Sequence, residues 1–221
     1  MLVSLVDGVT HREAPSETEE RVFLVLTGTG VVTTDGRELP VAGETIAHFP
    51  RTRTVDFKAE GQGILDFLVL HFALTAEEMS DIAARPESKN ETYLKRFKEC
   101  EPYGEKIKSA KTVSRTLFPR GIVPRLAIGT VQTTGPDQVA LHRHPMLEQY
   151  FLGLEGNDIT VIADDIRTPL GAYELFHIPL GSNHGAEVAD GRKLHYIWID
   201  FFKDRKGEEW LKEHKPITPD K

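Results

Sequence analysis

The stretch that decides the fold runs ALHRHPMLE over residues 140–148 and carries His142, His144 and Glu148. Residues two apart in an extended strand project from the same face, so both imidazoles can point at one ion. A third histidine, His184, follows a Pro-x-Gly turn. Imidazole nitrogens with a carboxylate oxygen suit divalent zinc, iron, manganese or nickel better than calcium or magnesium. We therefore predict that His142, His144, Glu148 and His184 bind one divalent transition metal ion.

These residues resemble the two motifs that define the cupin superfamily. The first motif resembles, in order, Gly135, His142, His144, Glu148 and Gly156, and the second resembles Gly171, Pro179, Gly181 and His184. Several gaps, including the one from Glu148 to Gly156, are a residue or two longer than is usual in the family, but all four ligand positions match. The resemblance implies an antiparallel barrel of jelly-roll type with the ion inside its mouth.

The chain also repeats itself. ERVFLVLTG at residues 20–28 shares a glutamate, a phenylalanine, leucines and a glycine with EQYFLGLEG at residues 148–156. The repeat continues with HFP at 48–50 against HIP at 177–179, and with LDFLVLHF at 65–72 against LHYIWIDF at 194–201. A repeat of this length predicts two similar units in tandem, a bicupin arrangement.

In this register the three histidines of the later half fall on residues that rarely bind metals. The counterparts of His142, His144 and His184 are Ala14, Ser16 and Val55, and only Glu20 is retained opposite Glu148. We therefore expect a metal-free N-terminal barrel and a C-terminal barrel that carries the chemistry. His48 and His177 match each other, which favours a structural role for both.

The predicted fold is mostly β, with two tandem jelly-roll barrels, a short helical connector and a C-terminal helix. The predicted domains are residues 1–75, a connector at 76–116, and residues 117–221. Thr75 and Glu78 form a capping box that predicts a short helix, Ser88 to Glu99 has the same spacing, and Gly207 to Lys215 is a further helical candidate.

Composition narrows the function classes. A formal net charge of -7 and a pI near 5.7 argue against nucleic acid as a partner. The single cysteine, Cys100, fits a reducing cytoplasm, and no stretch is apolar enough for secretion or membrane insertion. A cytoplasmic protein with a small-molecule substrate is expected, and barrel edge strands would be covered in a homodimer.

Three functions follow from such a site: isomerisation of a sugar acid, oxidation by a non-haem iron dioxygenase, or metal-dependent binding of a metabolite without catalysis. Residues 177–200 resemble the closing strands of the bicupin uronate isomerases that act on 5-keto-4-deoxyuronate and 5-deoxyglucuronate, which favours the first. Either Glu148, if it is loosely bound, or a metal-bound water is the candidate base. Tyr150 and Tyr196 replace Val22 and Phe67 of the first half, and their hydroxyls could orient a substrate.

Overall fold

The computed structural model describes residues 1–84, 92–204 and 206–207. The chain divides into two compact units, Met1–Glu99 and Cys100–Lys221. Each described unit is built mainly from antiparallel strands, as the sequence predicts. No helix among these residues is long and apolar enough to cross a membrane.

The first unit contains two sheets that enclose an apolar core. Its strands are β1 (Leu2–Val6), β2 (Thr10–Glu13), β3 (Glu19–Thr27), β4 (Thr29–Thr34), β5 (Arg37–Ala42), β6 (Thr45–His48), β7 (Val55–Ala59), β8 (Ile64–Ala73) and β9 (Tyr93–Arg96). The sheet orders are β1-β8-β3-β6-β9 and β2-β7-β4-β5. Alternating side chains of these strands point inward, and Phe23, Phe49, Phe57 and Phe67 pack together in the centre.

Helix α1 (Ala76–Ala84) begins at the predicted capping box. The backbone N–H of Thr75 donates to Glu78 at 2.8 Å, and the N–H of Glu78 donates to the Thr75 hydroxyl at 3.2 Å. These two bonds satisfy backbone donors that the first turn of a helix leaves open. Ile82 is buried on the inner face of the helix.

The helix predicted from Ser88 to Glu99 is wrong over its described part. Tyr93–Arg96 is strand β9, which pairs antiparallel with β6, and a 3-10 turn follows at Phe97–Glu99. The edge of β6 leaves backbone groups that need partners, and β9 supplies them while Leu94 packs against the apolar core. The pairing of β9 with β6 therefore outweighs the Ser-x-x-Glu spacing that predicted a helix.

The second unit repeats the same plan. Its strands are β10 (Pro102–Tyr103), β11 (Val113–Phe118), β12 (Leu126–Thr134), β13 (Asp137–Arg143), β14 (Leu147–Gly153), β15 (Ile159–Ala163), β16 (Ile166–Leu170), β17 (Leu175–Ile178), β18 (Asn183–Val188) and β19 (Lys193–Phe202). The sheet orders are β10-β11-β12-β19-β14-β17 and β13-β18-β15-β16. Strands β12 to β19 correspond to β1 to β8, so the repeat seen in the sequence is a structural repeat.

The predicted connector at 76–116 is not a separate segment. Residues up to Glu99 belong to the first unit, and residues from Cys100, including β10 and the start of β11, belong to the second. The predicted C-terminal helix from Gly207 to Lys215 lies, apart from Gly207, outside the described residues.

Candidate metal centre

Three of the four predicted ligands come together. His142 lies on β13, His144 directly after that strand, and His184 on β18 opposite His142. Their candidate ligand nitrogens all lie within 4.8 Å of one another, and the three residues are 1 to 5% exposed. Burying three polar rings together is costly unless they bind something, so this donor set fits a divalent transition metal ion.

Backbone carbonyls orient two of the rings. Nδ1 of His142 donates to the carbonyl of Ala140 at 2.8 Å, and Nδ1 of His184 donates to that of Ser182 at 3.0 Å. Because a carbonyl only accepts, each neutral ring carries its proton on Nδ1 and its lone pair on Nε2. Both histidines are thereby held in the tautomer that can bind a metal through Nε2.

The turn before His184 is fixed by its own hydrogen bonds. Gly181 has a φ of 79°, a conformation that favours glycine, and the N–H of Ser182 donates to the Pro179 carbonyl at 3.0 Å. Asp164 accepts from the Ser182 hydroxyl at 2.7 Å and from the backbone N–H of Asn183 at 2.9 Å. The Pro-x-Gly sequence therefore acts by setting the start of β18.

His142 and His144 border a cavity of about 490 Å³ in the second unit. This volume suits a small metabolite. Apolar side chains form part of the wall, and the polar residues of the wall are Tyr103, Glu105, Lys108, Thr116, Arg120, His142, His144, Gln149, Tyr196 and Asp200. An ion held by the histidines would thus have room for a substrate beside it.

Glu148, the fourth predicted ligand, is not brought to the histidines. Its carboxylate faces the other side of β14 and bonds Nε2 of His177 at 2.6 Å. The residue of β14 that lines the cavity is Gln149, because the buried face of this strand carries Leu147, Gln149 and Phe151. The sequence contains a signal for this shift. The gap from Glu148 to Gly156 is longer than is usual for cupins, and counting from Gln149 instead shortens it by one residue.

The two candidate tyrosines have different outcomes. Tyr196 is 2% exposed and lines the cavity, as a substrate-orienting residue would. Tyr150 shares the outer face with Glu148, where its ring stacks on His177 at 4.8 Å between centroids and meets Phe201 edge-on at 5.8 Å. Tyr150 lies two residues after Glu148 on β14, so both side chains are on the face of the strand that points away from the cavity.

Sequence reasoning missed the charged residues of the cavity. Asp200 lies on β19 at the same parity as Tyr196, is 2% exposed and accepts a hydrogen bond from Nε2 of Gln149 at 2.6 Å. Glu105 and Lys108 form an ion pair, and Arg120 also lines the wall. Asp200 was detectable, since it differs from its repeat partner and shares the strand parity that singled out Tyr196.

Burial dominates the electrostatics of this wall. It raises the pKa of Asp200 to about 7, and Glu105 adds to the rise, while the Gln149 hydrogen bond, Arg120 and Lys108 oppose it. Burial also raises the pKa of the Tyr196 and Tyr103 hydroxyls, so both stay protonated. The pKa of Lys108 is lowered by burial and held up by Glu105.

The first unit fills the corresponding place differently. In the second unit His142 pairs with His184, and in the first unit Glu13 pairs with Val55, the counterpart of His184. The structural counterpart of His142 is therefore Glu13, one residue before the predicted Ala14. The guanidinium of Arg21, at the position of Gln149, lies 4.0 Å from Glu13 and donates to the carbonyl of Ala14. In the first unit, Glu13 and the buried Arg21 therefore stand at the positions of His142 and Gln149.

Comparison with known proteins supports the fold. No protein-family model matches the chain, and no curated protein matches it. Among solved structures, the chain is similar to a cupin 2 conserved barrel domain protein from Leptotrichia buccalis, with a TM-score of 0.58, 14% identity, and 91% of this chain and 82% of that chain covered. It is also similar to a mutant of Bacillus subtilis oxalate decarboxylase, with a TM-score of 0.62, 16% identity, and 92% and 69% covered.

A third similar structure is an IolB-like protein from Salmonella typhimurium, with a TM-score of 0.67, 14% identity, and 96% of this chain and 88% of that chain covered. At these identities the likeness shows the fold alone. The fold is that of tandem cupin barrels.

Proposed function

We propose that this chain is a metal-dependent enzyme for a small polar metabolite, and that its reaction is the aldose–ketose isomerisation of a sugar acid. The observation that carries the proposal is the convergence of His142, His144 and His184 in the second unit, where His142 and His144 also line a cavity. An ion bound there supplies Lewis-acid polarisation of a carbonyl oxygen. His142, His144 and His184 would hold it.

The lining of the cavity suits a polyhydroxylated acid. Tyr103 and Tyr196 offer hydroxyl donors, Gln149 an amide, and Lys108 and Arg120 positive charge. These polar groups select a polar substrate, because an apolar molecule would leave them buried without partners. The likeness of residues 177–200 to the bicupin uronate isomerases points the same way.

A non-haem iron dioxygenase is the second candidate. It is favoured by one feature: three neutral nitrogen ligands without a carboxylate on the cavity face of β14 form a donor set that ferrous iron accepts and that leaves further positions open. A metabolite-binding protein without catalysis would use the same cavity. These alternatives differ in what they do with oxygen and with the bound molecule.

The test is an anaerobic assay of protein loaded with zinc, manganese, nickel or ferrous iron. D-glucuronate, D-galacturonate, 5-keto-4-deoxyuronate and 5-deoxyglucuronate are offered in turn, and the keto or aldo product is followed by NMR. We expect isomerised product from wild-type protein and none from His184→Ala. The matched control, His177→Ala, removes a histidine of the outer face and should keep the activity.

Substrate-dependent oxygen uptake that requires iron would instead establish the dioxygenase. Thermal stabilisation by one of the four compounds, with neither product nor oxygen uptake, would establish a binding protein. Either result would contradict the isomerase.

A further inference from the structure

Asp200 is an unusual residue for the interior of a barrel. It is 2% exposed, it lines the same cavity as His142 and His144, and it lies directly across from Gln149 on the neighbouring strand. Among the described residues its carboxylate takes one hydrogen bond, from the neutral amide of Gln149, and no ion pair. A buried carboxylate held in this way has a cost in stability, which a role in chemistry would explain.

The internal repeat assigns Asp200 to the histidine site. Its counterpart in the first unit is His71, which lies across from Arg21 as Asp200 lies across from Gln149. The His71 side chain is 37% exposed and interacts with Glu13 and Glu19. The buried carboxylate is therefore found in the unit that carries the three histidines and is replaced in the unit that does not.

The other acidic residues near the site are already engaged. Glu105 forms an ion pair with Lys108, and Glu148 lies on the outer face with His177. His195, the neighbour of Tyr196, does not line the cavity, and burial lowers its pKa to about 4. Among the described carboxylates that line the cavity, Asp200 is the one that forms no ion pair.

We propose that Asp200 is the catalytic base of this site, which moves a proton between neighbouring carbons of the substrate. The proposal rests on the proposed isomerase function. Its carboxylate takes the proton from the carbon beside the carbonyl, the C–H electron pair becomes the C=C of an enediolate, and the π pair of the carbonyl moves to its oxygen. The proton on the carboxyl exchanges with solvent, and the carboxyl then gives a proton to the adjacent carbon while the hydroxyl proton passes between the two oxygens. No oxidant or reductant is consumed.

The electrostatics of the cavity support this role. Burial, with Glu105, raises the pKa of Asp200 to about 7, against the lowering effects of Gln149, Arg120 and Lys108. A base with a pKa near the working pH both accepts and returns a proton readily. Tyr103 and Tyr196 share the wall, but their raised pKa keeps them protonated, so they donate hydrogen bonds to the substrate.

The experiment compares wild type, Asp200→Asn and Asp158→Asn. The asparagine at 200 keeps the shape and an oxygen for Gln149 but cannot take a proton. Asp158 provides a matched control, because it is exposed and paired with Arg192 at 3.0 Å on the surface. Metal-loaded protein is incubated with the four sugar acids in D₂O, and incorporation of deuterium into the C–H bonds and product formation are followed by NMR.

We expect Asp200→Asn to lose exchange and isomerisation by at least about 100-fold, the usual contribution of a general base. Its metal content and its thermal shift with substrate should equal those of wild type and of Asp158→Asn. Wild-type kcat/KM should rise with pH through a midpoint near 7, as the carboxylate ionises, and any residual rate of Asp200→Asn should lack this limb.

Exchange at the wild-type rate in folded Asp200→Asn would overturn the assignment while leaving the isomerase intact. If metal-loaded wild type neither isomerises nor exchanges any of the four acids, both the proposed function and the base are wrong. Should Asp200→Asn fail to fold, the wild-type profile decides the matter: a limb with a midpoint below about 5 would exclude this buried carboxylate as the base.

Discussion

One residue separates Glu148, which faces the outside of β14, from Gln149, which faces the cavity. The side-chain period of a strand is two, so a shift of one position exchanges the two faces completely. The histidine pair could be predicted, because His142 and His144 are two residues apart and such residues project from the same face of an extended chain. The outward position of Glu148 is harder to predict, because it depends on how many residues the bend after His144 takes up, and the long gap to Gly156 is an indirect signal.

This placement predicts that Glu148 is dispensable for metal binding. Glu148→Gln should retain the metal content of wild type, since the carboxylate bonds His177 on the outer face. Elemental analysis of protein purified without a nickel column measures this. A loss as large as that of His184→Ala would show that Glu148 reaches the ion after all.

The buried carboxylate of Asp200 predicts how stability depends on pH. Its pKa is raised in the folded protein to about 7 from an ordinary value of 3.8, so the unfolded chain releases its proton first as pH rises. Metal-depleted wild type should therefore lose stability relative to Asp200→Asn between pH 5 and pH 8, by up to about 3 kcal/mol at 1.36 kcal/mol per pKa unit. Urea unfolding at the two pH values measures the difference, and an equal gap at both would contradict the burial of an ionisable group.

At the scale of elements, the glutamate and the histidine that both halves share form the same pair twice. Glu20 bonds His48 at 2.9 Å across β3 and β6, and Glu148 bonds His177 across β14 and β17. The repeat kept these residues because they join two strands. His177 is predicted to be structural because it matches His48 in the first half. Glu148 matches Glu20 in the same way, so the same reasoning predicts a structural role for Glu148.

The two pairs differ in burial, and this difference predicts different mutational costs. The side chains of Glu20 and His48 are 5 and 6% exposed, with Arg51 also on Glu20 at 3.2 Å, whereas those of Glu148 and His177 are 45 and 46% exposed. Glu20→Gln should cost about 1–3 kcal/mol of unfolding free energy and Glu148→Gln less than about 1 kcal/mol. Urea unfolding of the two variants at neutral pH compares them directly, and equal costs would contradict the structural account.

A close approach between β12 and β19 predicts a further effect. Gly129 lies opposite Trp198, and a Cβ at Gly129 would meet the indole at 2.3 Å and the Arg115 carbonyl at 2.6 Å. Gly129→Ala should therefore cost about 1–3 kcal/mol and displace the Trp198 ring from the cavity wall. Melting temperature and tryptophan emission measure both effects. Gly104→Ala, where a Cβ meets nothing within 4 Å, is the control and should change neither.

Strand β9 shows where local pattern fails at this scale. Tyr93–Arg96 lies in a charged stretch with helical capping spacing, yet it pairs with β6 because the open edge of that strand needs hydrogen-bond partners. Helix α1 was predictable, since its capping box is local to the sequence. A strand whose partner lies far away in sequence leaves no such local signal.

At the scale of the whole molecule, the repeat distinguishes the residues that form each barrel, which recur in both units, from the residues of the cavity, which differ between the units. The apolar strand positions and the glutamate–histidine pair recur in both units, while Gln149, Tyr196 and Asp200 of the cavity stand where the first unit has Arg21, Phe67 and His71. The two-barrel fold could be predicted because the repeat spans whole strands. The full lining could not, since it also draws on Glu105, Lys108 and Arg120, which lie outside the repeated strands.

The measurement that tests the central claim most directly is the metal content of His142→Ala/His144→Ala beside that of wild type. Wild-type protein expressed with divalent metals and purified without a nickel column should carry one transition metal ion per chain by elemental analysis. The double variant, shown to be folded by circular dichroism, should carry essentially none. Full occupancy in the folded double variant would contradict the assignment of these histidines as the metal site.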